Sequence, residues 1–224
     1  ANALSRFNEC PGPEHISAAR HVLRYLTGHI DRGITFHGSE TILAQGYPHR
    51  DRLIAAADSD LGTPRSTSGI AIMMNGGPIL WKCKLQSLTT NSTAWAETNA
   101  AAQCIMELRS LIDLATELGA PQDTIRVMED NAPAIYLSAG GNDTQKSQPF
   151  KRLQFFVENE IDNGLAWLNK VPSEHNIADI FTKSMHSAQT FNRLVGVFNG
   201  ENPELYLGTQ IEQLLRTGHI GNSS

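Results

Sequence analysis

Cysteine is scarce in this chain of 224 residues. Cys10, Cys83 and Cys104 are its three, and no two stand in a CxxC pair. That argues against a disulfide framework and against a zinc site. Cys83 and Cys104 fall in patterned segments and read as buried apolar fillers. An excess of basic charge is also lacking: 18 Lys and Arg stand against 23 Asp and Glu, a net charge of −5. A strong unspecific binder of nucleic acid is usually basic. An enzyme that grips nucleic acid transiently along a local basic strip remains compatible with this balance. No apolar run reaches the ~18 residues that span a bilayer, and the N-terminus carries no signal-peptide pattern. The expected setting is therefore reducing and intracellular, in the cytoplasm, with no membrane partner. There is no internal repeat, no low-complexity tract and no initiator Met. The chain begins inside a helical pattern, as a piece of a longer polypeptide would.

What is present is a sizeable apolar fraction, 40%, enough for one full domain with appendages or two small ones. Ile16, Ala19, Val22, Leu23 and Leu26 recur at helical spacing, with Pro13 suited to the first turn and Gly28 to the stop. ITFHG (34–38) is a short strand candidate, and 40–52 resembles a linker. Residues 1–45 are expected to form a separate N-terminal unit with its linker, 46–200 the main domain, and 201–224 a terminal helix and tail. From 53 onward three strand candidates follow one another, LIAAADSD, SGIAIMMNG and PILWKCKLQS. NGG (75–77) is a hairpin turn between the second and third. A helix over about 91–118 follows, then the strand IRVMED (125–130), a short helix (131–140), an amphipathic helix (149–164), the strand LAWLNKVP (165–172) and further helical segments. This order predicts an α/β (α+β) mixed sheet of five strands with helices on its faces.

Four carboxylates stand out in that frame. Asp58 interrupts the first apolar strand, and Asp130 ends the fourth. Glu97 lies in the first turns of the long helix, and Asp179 sits in NIADIFTK. A carboxylate at the end of a buried strand is costly unless something pairs with it. Four of them from separate segments suggest a shared partner. Hard divalent cations take oxygen ligands, and two ions side by side need several carboxylates. The order strand Asp, helix Glu, strand Asp, helix Asp points to phosphodiester hydrolysis with two metals. Each acid also has a plainer explanation. Glu97 and Asp179 suit the first turn of a helix, Asp130 or its neighbours could cap the next helix, and Asp60 reads as a turn residue. Lys82, Lys84 and Gln86 alternate along the third strand and could contact phosphates, or could line a solvated strand face. Lys146, Lys151 and Arg152 form a weaker basic cluster. His175 is a loop histidine, either a proton shuttle or simply solvated, and Trp95 reads as packing.

The runs ADSDLGTPRSTSG, PILWKCKLQS, STAWAETNAA, EDNAPAI and VPSEHNIADIFTK resemble the ribonuclease H domain of copia-type retrotransposon polyproteins. PEHISAARHVLRYLTGHIDRGITF resembles the tail of the adjoining reverse transcriptase. The resemblance covers roughly residues 4–198, and RSTSG and NIADIFTK are its most specific pieces. It implies a ribonuclease H-like fold and two magnesium ions, or manganese in their place. Asp58, Glu97, Asp130 and Asp179 then become metal ligands and catalytic residues. It also implies hydrolysis of the RNA strand in RNA–DNA hybrids, without a small-molecule cofactor, beside the remainder of the retroelement polyprotein. Polymerase motifs are missing, so this piece cannot synthesise DNA. Departures from the family pattern at Ala57, Leu61, Trp95, Thr98 and Ser147 spare the acids but touch the substrate side. They keep open an alternative, a catalytically inactive scaffold that binds nucleic acid or a partner chain. An integrase or transposase core, which shares the fold, would order its acids differently, and Glu97 disfavours it.

Overall fold

The computed structural model describes residues 2–38, 52–62, 64–141, 148–185 and 187–201. The chain divides into two compact units, 1–34 and 35–224. The first holds α1 (Asn2–Ser5) and α2 (Pro13–Thr27). Proline at the start of α2 gives up an amide that would lack a helical partner anyway. The Gly12 N–H donates to Nδ1 of His15, closing the first turn.

The second unit is built on a five-stranded sheet: β1 (Leu53–Ser59), β2 (Thr67–Met74), β3 (Gly77–Leu85), β4 (Ile125–Glu129) and β5 (Ala166–Lys170). Its order is β3-β2-β1-β4-β5. The first three strands form an antiparallel meander, and β4 and β5 run parallel to β1. Asn75 and Gly76 both take positive φ, 52° and 79°. That is the backbone a two-residue hairpin requires, so the turn forms within the expected NGG. The parallel strands need crossovers, which α3 (Thr93–Glu117), α4 (Ala132–Ser138) and α5 (Gln148–Asp162) supply. A 3₁₀ turn (Ser173–His175), the single-turn α6 (Asp179–Thr182) and α7 (Ala188–Phe198) follow.

Strand alternation divides the core between two faces. Ala55, Ala57, Ile70, Ile72 and Val127 pack with Ala100, Cys104, Ile105 and Leu108 of α3 and Val157 of α5. Ala56, Ala71, Met73 and Met128 pack on the other face with Ile177, Ala178, Leu194, Val197 and Phe198. Cys104 is thus the apolar filler expected. Trp95 is buried against Leu137 and Phe150, its ring 5.1 Å from that of Phe150. It is a packing residue.

Close approach is what lets the second face carry chemistry. A Cβ on Gly69 would stand 2.8 Å from the Ala178 carbonyl oxygen and 2.8 Å from Thr182 Cγ2. Glycine therefore seats α6 directly on β2, beside Asp58, which pairs with Gly69 across the ladder.

The expected strand at 34–38 does not join a ladder. From Thr35 the segment is irregular and held by single bonds. The Thr35 N–H donates to the Asn199 carbonyl at 2.8 Å and the His37 N–H to the Asn75 carbonyl at 2.9 Å. The expected linker lies almost entirely outside the described residues, as do the terminal helix and Lys146 and Ser147.

Candidate metal centre

The register of the parallel pair decides where the acids point. Ala56 lies level with Met128, and both face α6 and α7. Two residues further along each strand, Asp58 and Asp130 turn to that same side. Glu129, one residue earlier, turns to the α3 side, where Glu97 sits.

Asp58, fully buried, accepts from Lys183 Nζ at 2.9 Å and from the Thr182 hydroxyl. Asp179 opens α6, and its Oδ1 lies 2.7 Å from the same ammonium. Asp130 Oδ2 is 3.6 Å from Lys183 and accepts from the Ser173 hydroxyl. One oxygen from each of Asp58, Asp130 and Asp179 lies within 4.8 Å of the others. Asp130 belongs equally to a second such group, with Glu97 and Glu129. The structure therefore gathers all four sequence-predicted acids at one end of the sheet. It adds Glu129 and Lys183, which sequence reasoning did not single out.

Electrostatics follows from burial. Desolvation pushes the Glu97 carboxyl up to about 10, helped by the charges of Glu129, Asp58 and Asp130. Desolvation likewise pushes Asp179 up to about 7, with Asp58 adding and Lys183 opposing. Asp58 is raised by burial against the pull of Lys183 and Thr182. Glu129 is raised well above the carboxylate range by burial, although the Asn131 N–H donates to its Oε1 at 3.0 Å. Burial alone would lower the Lys183 ammonium, but Asp58 and Asp179 hold it above its ordinary value. Oε2 of Glu97 and Oε2 of Glu129 are buried and have no hydrogen-bond partner. Orphaned carboxylate oxygens within an all-oxygen donor set fit a hard divalent cation.

The other candidates separate. Lys82 and Lys84 are exposed on β3, and Lys82 pairs with Glu107 of α3. Gln86 keeps the face of Lys82 and Lys84, the α3 side, but is buried there and so is not offered to a phosphate. The strand ends at Leu85, and Gln86 donates to Ser68 Oγ at 2.9 Å and to the Ala96 carbonyl at 2.8 Å. Asp60 accepts from the Thr67 N–H and serves the turn. Lys151 and Arg152 are exposed on α5, and His175 is half-buried in the 3₁₀ turn beside Ser173.

A five-stranded mixed sheet in this order, with helices on both faces, is a ribonuclease H-like fold. No family model matches the chain. It is 30% identical over 199 residues to the retrovirus-related Pol polyprotein from transposon RE2 of Arabidopsis thaliana, matching 88% of this chain and 13% of that one. It is 32% identical over 180 residues to the corresponding polyprotein from transposon TNT 1-94 of Nicotiana tabacum, matching 80% of this chain and 13% of that one. Among solved structures it resembles RNase H1 from Halobacterium salinarum, with 16% identity, a TM-score of 0.41, and 56% of this chain and 89% of that chain covered. The chain is homologous to a segment of the retrovirus-related Pol polyproteins of transposons and spans about an eighth of their length, 13%.

Proposed function

We propose that the chain hydrolyses the RNA strand of RNA–DNA hybrids, as the nuclease segment of a copia-type retroelement polyprotein. The observation that carries this reading is the pair of carboxylate groups sharing Asp130. Asp58, Glu97, Asp130 and Asp179 are the residues that would hold two divalent ions, magnesium or manganese. When bound, such ions activate a water molecule and stabilise the leaving oxygen. The chain's own part is to hold and orient. Thr182 and Ser173 aim Asp58 and Asp130 through their hydroxyls. Lys183 draws three of the acids together. Lys82 and Lys84 offer ammonium groups to backbone phosphates, contacts that position without reading sequence. Discrimination of RNA from DNA would rest on the 2′-hydroxyl.

In this reading residues 1–45 are the end of the reverse-transcriptase connection with its linker, 46–200 the nuclease domain and 201–224 the stretch that follows it. The chain acts inside the cell beside the rest of its polyprotein. The test is a labelled RNA–DNA hybrid incubated with the chain, with and without magnesium. Magnesium-dependent cleavage, lost in Asp58→Asn, is expected, and Asp58→Asn should fold as well as the parent because one buried charge is gone. Near-normal cleavage by that variant would remove Asp58 from the site. An inactive scaffold is favoured by one observation, that the ammonium of Lys183 lies within 4 Å of three of the acids. Hybrid binding without cleavage would identify it.

A further inference from the structure

We propose that Glu129 is a fifth carboxylate of the centre, holding a divalent cation together with Glu97 and Asp130. The inference rests on reading the acids as a metal centre, and it extends the ligand set beyond the four acids implied by the family resemblance.

The two halves of the centre are built differently. Asp58, Asp130 and Asp179 surround the ammonium of Lys183 at 2.9, 3.6 and 2.7 Å. Glu97 and Glu129 have no ion pair among the described residues. Lys170, whose ammonium binds the Asp130 carbonyl, acts on Glu129 only as the weakest of several influences. Yet Glu97 is 3% exposed and Glu129 0%. One oxygen of each is buried and accepts no hydrogen bond of good geometry, although the Ser59 hydroxyl acts on Glu97 from nearby. Leaving one buried polar atom unsatisfied costs about 1–3 kcal/mol, more for a charged group. Two such carboxylates, on different elements and with oxygens within 4.8 Å of each other, call for a common occupant.

Geometry limits what that occupant is. Glu129 Oε1 accepts from the Asn131 N–H at 3.0 Å, and its Oε2 has no hydrogen-bond partner. The ligand oxygens of Glu97, Glu129 and Asp130 lie within 4.8 Å of one another. Three hard oxygen donors, of which only Asp130 lies near the Lys183 ammonium, suit a magnesium- or manganese-class ion. Asp130 then stands between an ion in this half and an ion in the Asp58–Asp179 half. In a fold whose two-ion site needs several carboxylates, the second half gains its third protein ligand from Glu129.

The full chain is titrated with manganese by calorimetry, with bound ions counted by electron paramagnetic resonance. The parent should bind two equivalents. Glu129→Gln, which keeps the Oε1 acceptor for Asn131, should lose one event or weaken it tenfold or more. Glu97→Gln should affect the same event, and Asp58→Asn the other. Both events surviving in Glu129→Gln within twofold would overturn the proposal, because a proton shared by Glu97 and Glu129 would then be the occupant. Far-ultraviolet circular dichroism checks that each variant is folded, and Glu129→Met decides if Glu129→Gln is not. Hybrid cleavage is measured in parallel. Two bound ions with the Glu129 dependence but no cleavage would sink the nuclease reading and leave this ligand set standing. Cleavage with both events intact in Glu129→Gln would do the reverse. A parent that binds no divalent ion would overturn both.

Discussion

Lys183→Met should weaken the metal-free fold and strengthen metal binding at once. The ammonium is the one cation within 4 Å of the carboxylates of Asp58, Asp130 and Asp179 among the described residues. A pair of unit charges 4 Å apart is worth about 1 kcal/mol in water and about 4 at an effective dielectric near 20. The Lys183 side chain is 38% exposed, so the lower part of that range applies to each contact. Methionine keeps much of the aliphatic stem and removes the charge. Asp58 and Asp179, each held down by Lys183, then rise further and take up protons, which caps the loss. A net loss of about 2 kcal/mol is expected at pH 8, where carboxylates are hardest to protonate. For a domain of this size that lowers Tm by about 4–8 °C. At pH 5 the difference should shrink. With the internal cation gone, magnesium no longer competes with it, and Kd should fall by about tenfold, equivalent to about 1.4 kcal/mol. Thermal melts in chelator and calorimetric titrations measure both. An unchanged Tm at pH 8 together with unchanged magnesium affinity would refute the assignment of Lys183 as the internal counter-ion.

Three further outcomes are expected. Asp179 and Glu97 hold their protons to about 7 and about 10, above their ordinary 3.8 and 4.5. Their contribution to stability is complete below the ordinary values and is lost as pH rises through the folded ones. The Tm of metal-free chain should thus fall between pH 5 and pH 9, and magnesium should flatten the decline; a rise in chelator would contradict the burial of these acids. Gly69→Ala places a methyl 2.8 Å from the Ala178 carbonyl, so α6 must shift, costing about 1–3 kcal/mol and displacing Asp179. Melts and hybrid cleavage should both suffer, and a fully active, equally stable variant would mean that α6 yields freely. Chain starting at Thr35 should fold cooperatively, whereas chain starting at residue 46 loses the bonds of Thr35 and His37 and should melt lower. Equal melting of the two by calorimetry would show those bonds to be idle.

Much of this architecture is legible in the sequence because local chemistry and tertiary structure agree. Asn75-Gly76 dictates a hairpin wherever it stands between apolar runs, and the small residues around Glu97 permit the helix to lie against the sheet. Glu129 was hidden for the opposite reason. Two adjacent carboxylates compete for one role, and the parallel register of Ala56 with Met128 is what gives each a different side. Lys183 did carry a signal, four residues after Asp179, a spacing that brings side chains together on a helix. Gln86 misled because alternation gives a side chain its face but not the cover over that face, and α3 covers it at Gln86. The segment 34–38 has strand composition, yet its partners are a hairpin turn and a helix end, which no local pattern announces.

Glu129, Asp130 and Asn131 are consecutive, and each has its own destination. Glu129 turns toward α3 and Asp130 toward α6, while Asn131 caps α4 by accepting from the Ala134 N–H at 3.0 Å. The stretch therefore works as a reading frame. Substitutions within it change one ligand or one cap at a time, and each can be scored separately. Insertion or deletion of a single residue after Met128 would transpose all three destinations together, because a one-residue slip in a strand reverses every face. A damaged copy of such an element could keep every acid in its sequence and still lose the centre through one misplaced codon here.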